Sequence, residues 1–197
     1  MHQKKIGLLG GTFDPIHHGH ILIANYALNH LNLNSVELIP CFQSPHRSLP
    51  IANTKDRIKM IELAITPYPK LKINTLEIQN KTISYTIDTL KILTEKNPSI
   101  KYYYILGADV YEKFSTWKNS DEILQLVSLV VINRNKVRIK KNHGSVLFLN
   151  INPILISATN IRNKIKMGEK NIAELDPCVE NYIKKHDLYL AAGAKLK

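Results

Sequence analysis

Two histidines three residues apart, His17 and His20, follow a glycine pair in the run GGTFDPIHHGH, residues 10–20. The run leads into apolar residues at helical spacing. Both imidazoles therefore stand at a helix start, on one face and roughly 5 Å, or one turn, apart. Gly10 and Gly11 let a ligand approach the backbone closely. The helix start adds unpaired N–H groups and the positive end of the macrodipole, a ready anion site. Two imidazoles beside exposed amides make a phosphate cradle. Zinc is the competing chemistry, with His17, His18 and His20 as ligands and Asp14 or His46 as a further one. A purely structural histidine pair is the third reading. The adjacent glycines favour phosphate. The run is not a Walker loop, because no Gly-Lys-Ser/Thr occurs in the chain. Nor is it the GxGxxG dinucleotide fingerprint, since glycines at 7, 10 and 11 have the wrong spacing.

A second candidate lies far downstream, in ISATNIR, residues 156–162, where an apolar segment opens into a helix. Ser157 or Thr159 can cap that helix, and Arg162 falls in its first turn. Taken alone this is a capped helix with a solvated arginine. Yet a cation in the first turn opposes the macrodipole, and an anion shared with the helix start would account for it. One helix start with two histidines and another with an arginine suggest a polyphosphate held between them.

The elements that must position these groups alternate. Strands are expected at Lys5–Leu9, Val36–Ile39, Leu71–Ile78, Tyr102–Leu106, Leu126–Ile132 and Val146–Leu149. Helices are expected at Gly19–Leu31, Lys55–Ile65, Tyr85–Leu93 with Ser84 as N-cap, Thr159–Met167 and Pro177–His186. Such alternation implies right-handed crossovers and an α/β fold, Rossmann-like and doubly wound, with a mostly parallel sheet and helices on both faces. Ligands then bind at the carboxyl ends of the strands, where strand order reverses. Residues 1–190 are read as a single domain and 191–197, AAGAKLK, as a frayed tail.

The 197 residues and 44% hydrophobic content suit one ordinary globular domain. No apolar run approaches the roughly 20 residues of a membrane span, and MHQKKIGLLGG reads as a strand and turn rather than a leader. A net charge of +11 suggests an anionic partner. Arginine takes only five of the 27 basic positions, however, and the lysine excess accompanies heavy use of isoleucine and asparagine, as an AT-rich genome would produce. The densest basic patch, Lys136, Arg138, Lys140 and Lys141, has no interleaved aromatics to stack bases, which argues against general nucleic-acid binding. Two cysteines, Cys41 and Cys178, form no disulfide framework and suit a reducing cytoplasm.

The motifs together resemble a known family. GGTFDPIHHGH matches the GxFxPxHxGH signature of the nucleotidyltransferases with the HxGH motif, and ISATNIR matches their second motif, ISSTxIR. Ser44-Pro45-His46-Arg47, SYTIDTL at 84–90, Gly107-Ala108-Asp109 with Trp117 eight residues on, and the ending DPCVENYIKKHDLY narrow it to the bacterial nicotinate-mononucleotide adenylyltransferases. The resemblance spans essentially the whole chain. It implies adenylyl transfer from ATP, carried with Mg²⁺, to nicotinate mononucleotide, giving deamido-NAD and pyrophosphate. It implies no covalent enzyme intermediate, no side chain acting as general base and no protein side chain bound to metal. The partners implied are the two nucleotides, with neither nucleic acid nor membrane.

By the resemblance, His17 and His20 contact the ATP phosphates and Arg162 clamps their β/γ end. Arg47 stands where lysine is usual, a planar fork in place of a point charge. ATP would also meet Gly10, Gly11, Thr12 and Phe13, and Ile156, Ser157 and Thr159. Gly107 would leave room for adenosine and Asp109 would accept from its ribose. Trp117 would stack on the pyridine ring, and amides near Thr86 and Lys118 would receive the nicotinate carboxylate, with Arg134 a weaker candidate. The second motif departs from pattern at Ala158, where serine is usual. Other acceptors (nicotinamide mononucleotide, phosphopantetheine) and a non-catalytic nucleotide- or RNA-binding role are the alternatives.

Overall fold

The computed structural model describes residues 3–45, 48–133, 146–152 and 155–190. His46, Arg47, Arg134, the basic patch at 136–141 and the tail 191–197 lie outside them. Six strands, β1 (Lys5–Gly11), β2 (Ser35–Pro40), β3 (Leu71–Ile73), β4 (Lys101–Gly107), β5 (Ser128–Asn133) and β6 (Val146–Asn150), form one sheet in the order β3-β2-β1-β4-β5-β6. Every pairing is parallel. The helices are α1 (His18–His30), α2 (Thr54–Ile65), α3 (Leu76–Gln79), α4 (Thr86–Lys96), α5 (Ala108–Tyr111), α6 (Ser120–Leu126), α7 (Ala158–Lys166) and α8 (Pro177–Lys185).

Side chains alternate across the sheet as a period of two requires. Ile6 and Leu8 of β1 enter one core with Ile87, Leu90 and Leu93 of α4 and Ile123 of α6. Leu9 enters the other, with Ala24 and Leu28 of α1, Met60 and Ile61 of α2, Ile161 of α7 and Val179 of α8. Helices therefore cover both faces, as the alternation implied. Gly7 serves close packing: a methyl there would lie 2.9–3.0 Å from Leu33, Val36 and Ile105. Strand order reverses between β1 and β4, so the crevice at their carboxyl ends falls beside Gly10, Gly11 and Gly107.

Three expectations need correction. The strand expected over Leu71–Ile78 ends at Ile73, because Asn74 caps the turn: its side chain takes the Leu76 N–H (3.1 Å) and α3 follows. Ser84 does not cap α4. Tyr85 holds that position, and Ser84 Oγ instead accepts the Phe42 N–H (3.1 Å), joining two loops. Leu126 ends α6 rather than starting β5. The helices α5 and α6 and the 3-10 turn Phe114–Thr116 were not expected at all. Each spans only three to seven residues, too few to display a helical period.

Candidate active site

His17 is the N-cap of α1, buried at 6% exposure, and its backbone N–H donates to His20 Nδ1 (3.3 Å). The two rings stack, centroids 3.8 Å apart and planes 25° from parallel. Accepting at Nδ1 leaves the proton of a neutral His20 on Nε2, the outer ring nitrogen. Phe13 supports His20 from below, edge to face at 4.9 Å. Its own ring is 1% exposed, packed within 3.0–3.2 Å of where a Gly11 side chain would begin. The Phe13 side chain is therefore part of the core.

The loop between β1 and α1 is held rigidly. The Asp14 carboxylate accepts the Ile51 and Ala52 N–H groups (2.8 and 3.0 Å) and the Tyr189 hydroxyl (2.8 Å). Burial, the Asp14 charge and the hydrogen bond to it all hold the Tyr189 phenol far above its ordinary value, so it stays a proton donor. Arg57 is 1% exposed and donates through one nitrogen to the Thr12 and Cys41 carbonyls, both at 2.8 Å. Burial lowers its guanidinium from the ordinary value, although an arginine remains charged throughout the working range. Cys41 donates to Thr12 Oγ1 (3.7 Å), and burial pushes its thiol up.

Arg162 reaches this same loop. Its guanidinium donates to the Asp14 carbonyl at 2.7 Å and to Thr159 Oγ1 at 3.3 Å. The two distant motifs thus meet: the late guanidinium is bonded to a residue three positions before His17. Ser157 is the N-cap of α7, but its side chain makes no capping bond. Ile156 packs half-buried against the core. Ala158, where serine is usual in the motif, is the first helical residue.

Among the described residues, zinc finds no support in the placement of its candidate ligands. His18 turns away, its Nδ1 3.1 Å from the Ala173 carbonyl, and the Asp14 carboxylate is committed to three donors. Among the described residues no three His, Cys, Asp or Glu side chains group around a metal position.

On the far side of the crevice, Gly107 is the N-cap of α5 and Asp109 lies exposed in its first turn. Thr86 is the first residue of α4. Trp117 is half-buried, its ring 5.6 Å from Phe114 and 6.2 Å edge-on from Tyr104. Lys118 Nζ pairs with Asp88 at 3.0 Å and lies 4.7 Å above the Tyr85 ring. Thr86 and Lys118 are thus drawn together through α4. Loop 41–45 joins the same wall, since Gln43 bridges Ile83 and its carbonyl accepts the Ser84 N–H (2.9 Å).

Sequence reasoning passed over four residues that shape the site: Asp14 as an anchor, Arg57, Tyr104 and Tyr189. Arg57 carried a readable signal. It falls in register with Met60, Ile61 and Ala64 on the buried stripe of α2, where an arginine must have internal partners. A depression of about 370 Å³ lined by Leu28, Asn29, Asn32, Leu33, Asn34 and Lys70 lies at the amino ends of the strands. It is remote from these groups and on the wrong side of the sheet for this fold's chemistry.

Comparison with known proteins shows the family and the fold. Residues 8–164 match the cytidylyltransferase-like family. The chain is 40% identical over 191 residues to a probable nicotinate-nucleotide adenylyltransferase of Lactococcus lactis, covering 95% of this chain and 96% of that protein. A protein of the same description from Streptococcus pneumoniae is 37% identical over 191 residues, covering 95% and 90%. The fold matches that of Plasmodium falciparum nicotinic acid mononucleotide adenylyltransferase, complexed with NaAD, at a TM-score of 0.81 and 22% identity, covering 94% of this chain and 97% of that one. The chain belongs to the cytidylyltransferase-like family and, within it, to the nicotinate-nucleotide adenylyltransferases.

Proposed function

We propose that this chain joins ATP to nicotinate mononucleotide, and that the crevice between β1 and β4 is where it does so. An oxygen of the mononucleotide 5′-phosphate attacks the α-phosphorus of ATP. The bond from that phosphorus to the bridging oxygen breaks, its electron pair leaves with pyrophosphate, and deamido-NAD is formed. The attacking phosphate is already an anion near neutral pH, so no base is needed. The barrier lies in bringing two anions together and in stabilising charge on the leaving group, which positioning and fixed donors supply.

The observation that carries this reading is the bond from Arg162 to the Asp14 carbonyl (2.7 Å), which brings the second motif to the loop that presents His17 and His20. In the proposed site His20 donates Nε2–H toward the transferring phosphate while His17 holds its orientation. Arg162 holds the β/γ end, and Arg47 adds charge. The backbone of Gly10, Gly11, Thr12 and Phe13 and the segment Ile156, Ser157 and Thr159 line the triphosphate, with Gly107 and Asp109 at the adenosine. Trp117 stacks on the pyridine ring, and amides at Thr86 and Lys118 receive its carboxylate, Arg134 assisting. Mg²⁺ enters with the triphosphate as part of the substrate.

The free thiols of Cys41 and Cys178 support a reducing, cytoplasmic setting. Among the described residues no helix is long and apolar enough to cross a membrane.

The test is an acceptor comparison. Purified protein with ATP and Mg²⁺ should release pyrophosphate with nicotinate mononucleotide at a kcat/KM at least tenfold above that with nicotinamide mononucleotide or phosphopantetheine. The single tryptophan gives a second readout, because all tryptophan fluorescence comes from residue 117. Stacking predicts that the mononucleotide alone quenches it. No turnover, or faster turnover of another acceptor, overturns the assignment.

A further inference from the structure

Between the sheet and α4, polar side chains gather in a patch near the start of that helix. There Thr89 Oγ1 donates to Glu77 (2.8 Å), Ser84 Oγ takes the Phe42 N–H, and the Tyr104 hydroxyl lies 3.3 Å from Thr86 Oγ1. Tyr104 links this patch to the rest of the crevice. It is 7% exposed in the middle of β4. Its hydroxyl crowds Gly10 so closely that a side-chain carbon there would lie 2.5 Å away. Its ring meets Trp117 edge-on at 6.2 Å. One side chain thus contacts the end of β1, the first residue of α4 and the aromatic wall.

A phenylalanine would fill this space without burying a polar atom. A buried hydroxyl is unfavourable unless it is bonded, and the bond here is to Thr86. The phenol holds its proton at any working pH, because burial and the nearby Glu77 carboxylate both raise it far above its ordinary value. The hydroxyl can therefore always donate. Gly10 completes the arrangement, since any larger residue would displace the hydroxyl from Thr86.

We propose that Tyr104 is a positioning residue for the acceptor mononucleotide: its hydroxyl fixes the first residue of α4, whose amide receives the acceptor's carboxylate, while its ring sets the angle of Trp117. This rests on the assignment of Thr86 and Trp117 to the acceptor subsite. It separates the two substrates, because the phosphate loop rests on bonds from Asp14 and Arg57 that do not involve Tyr104.

Tyr104→Phe keeps the ring and removes the hydroxyl. It should raise KM for nicotinate mononucleotide by about threefold to tenfold, the scale of one net hydrogen bond, and leave KM for ATP within about twofold. Thr86→Val approaches the same bond from the other side and should give a similar rise. The double variant should be no worse than the poorer single one, since both remove one interaction. Mononucleotide titration of Trp117 fluorescence without ATP should show the same loss of affinity, which a general loss of stability would not confine to one ligand. Equal changes for both substrates, an unmoved mononucleotide KM in Tyr104→Phe, or additive effects in the double variant would overturn the role. Absence of turnover in the unmodified enzyme would instead sink the proposed function; wild-type turnover with an unmoved variant sinks only the role of Tyr104.

Discussion

The two walls of the crevice are built on different principles. The phosphate wall rests on buried anchors: Asp14 with three donors and Arg57 bridging two carbonyls, each at 5% exposure or less. The acceptor wall has buried supports in Tyr104 and the Thr89–Glu77 bond, but its outer groups are partly exposed, with Lys118 and Asp88 paired in the open and Trp117 half-buried. A triphosphate is charged in every state, so its donors work best when they are fixed before the reaction and need no reorganisation. A planar ring with one carboxylate can be gripped by a lighter frame. The phosphate wall is accordingly where substitutions should cost most.

The largest effect should come from the groups that touch the triphosphate. His20→Ala and Arg162→Ala should each lower kcat/KM by roughly 10²-fold or more, the scale of losing one charge-stabilising donor. A change below about fivefold in either steady-state assay would remove that residue from its assigned role. It would also make the two walls equivalent, which the comparison denies.

Next in size is the cost of removing an anchor. Arg57→Met fits the apolar stripe of α2 but leaves the Thr12 and Cys41 carbonyls without their donor. Each buried carbonyl left unpaired costs about 1–3 kcal/mol. Thermal unfolding should therefore begin about 10 °C lower, at about 2–4 °C per kcal/mol for a chain of this size. The matching change on the acceptor wall, Lys118→Met, breaks an exposed ion pair and should leave Tm within about 1 °C. Comparable shifts in the two variants would show that the walls do not differ in rigidity.

The sequence carried the chemistry of the phosphate wall more plainly than its supports. His17, His20 and Arg162 are visible because their types and spacing announce an anion site. Their supports are not, because a tyrosine at 189 and an aspartate at 14 meet only through 175 residues of folding. The six strands and five long helices followed from apolar periodicity. The acceptor wall was harder to read, because α3, α5 and α6 are too short to show a period and α6 starts after a left-handed residue, Asn119 (φ 53°). Ser84 misled for a related reason. A serine before a helix signals a cap, yet this one spends its oxygen on Phe42, a partner 42 residues away.

A smaller effect than that of Arg57→Met belongs to Glu77, a buried acid of the acceptor wall. Glu77 lies at 9% exposure, and burial raises its carboxyl above the ordinary glutamate range, against weaker lowering by the Thr89 and Ser84 hydroxyls. In the unfolded chain the same group ionises near its ordinary value, about 4.3. Between those two points the folded protein binds more protons than the unfolded one, so stability falls as pH rises through the window. The contribution is complete below the unfolded value and lost above the folded one. Glu77→Gln keeps an acceptor for Thr89 and cannot ionise. Between pH 4.5 and 8 the variant should therefore lose less Tm than the wild type, by about 2–4 °C if the linked contribution is on the order of 1 kcal/mol. Parallel Tm–pH curves would mean that Glu77 already sits in a solvated setting, and that the acceptor wall is open down to its base. A steeper fall in the variant would mean that the charged carboxylate itself holds α4 in place.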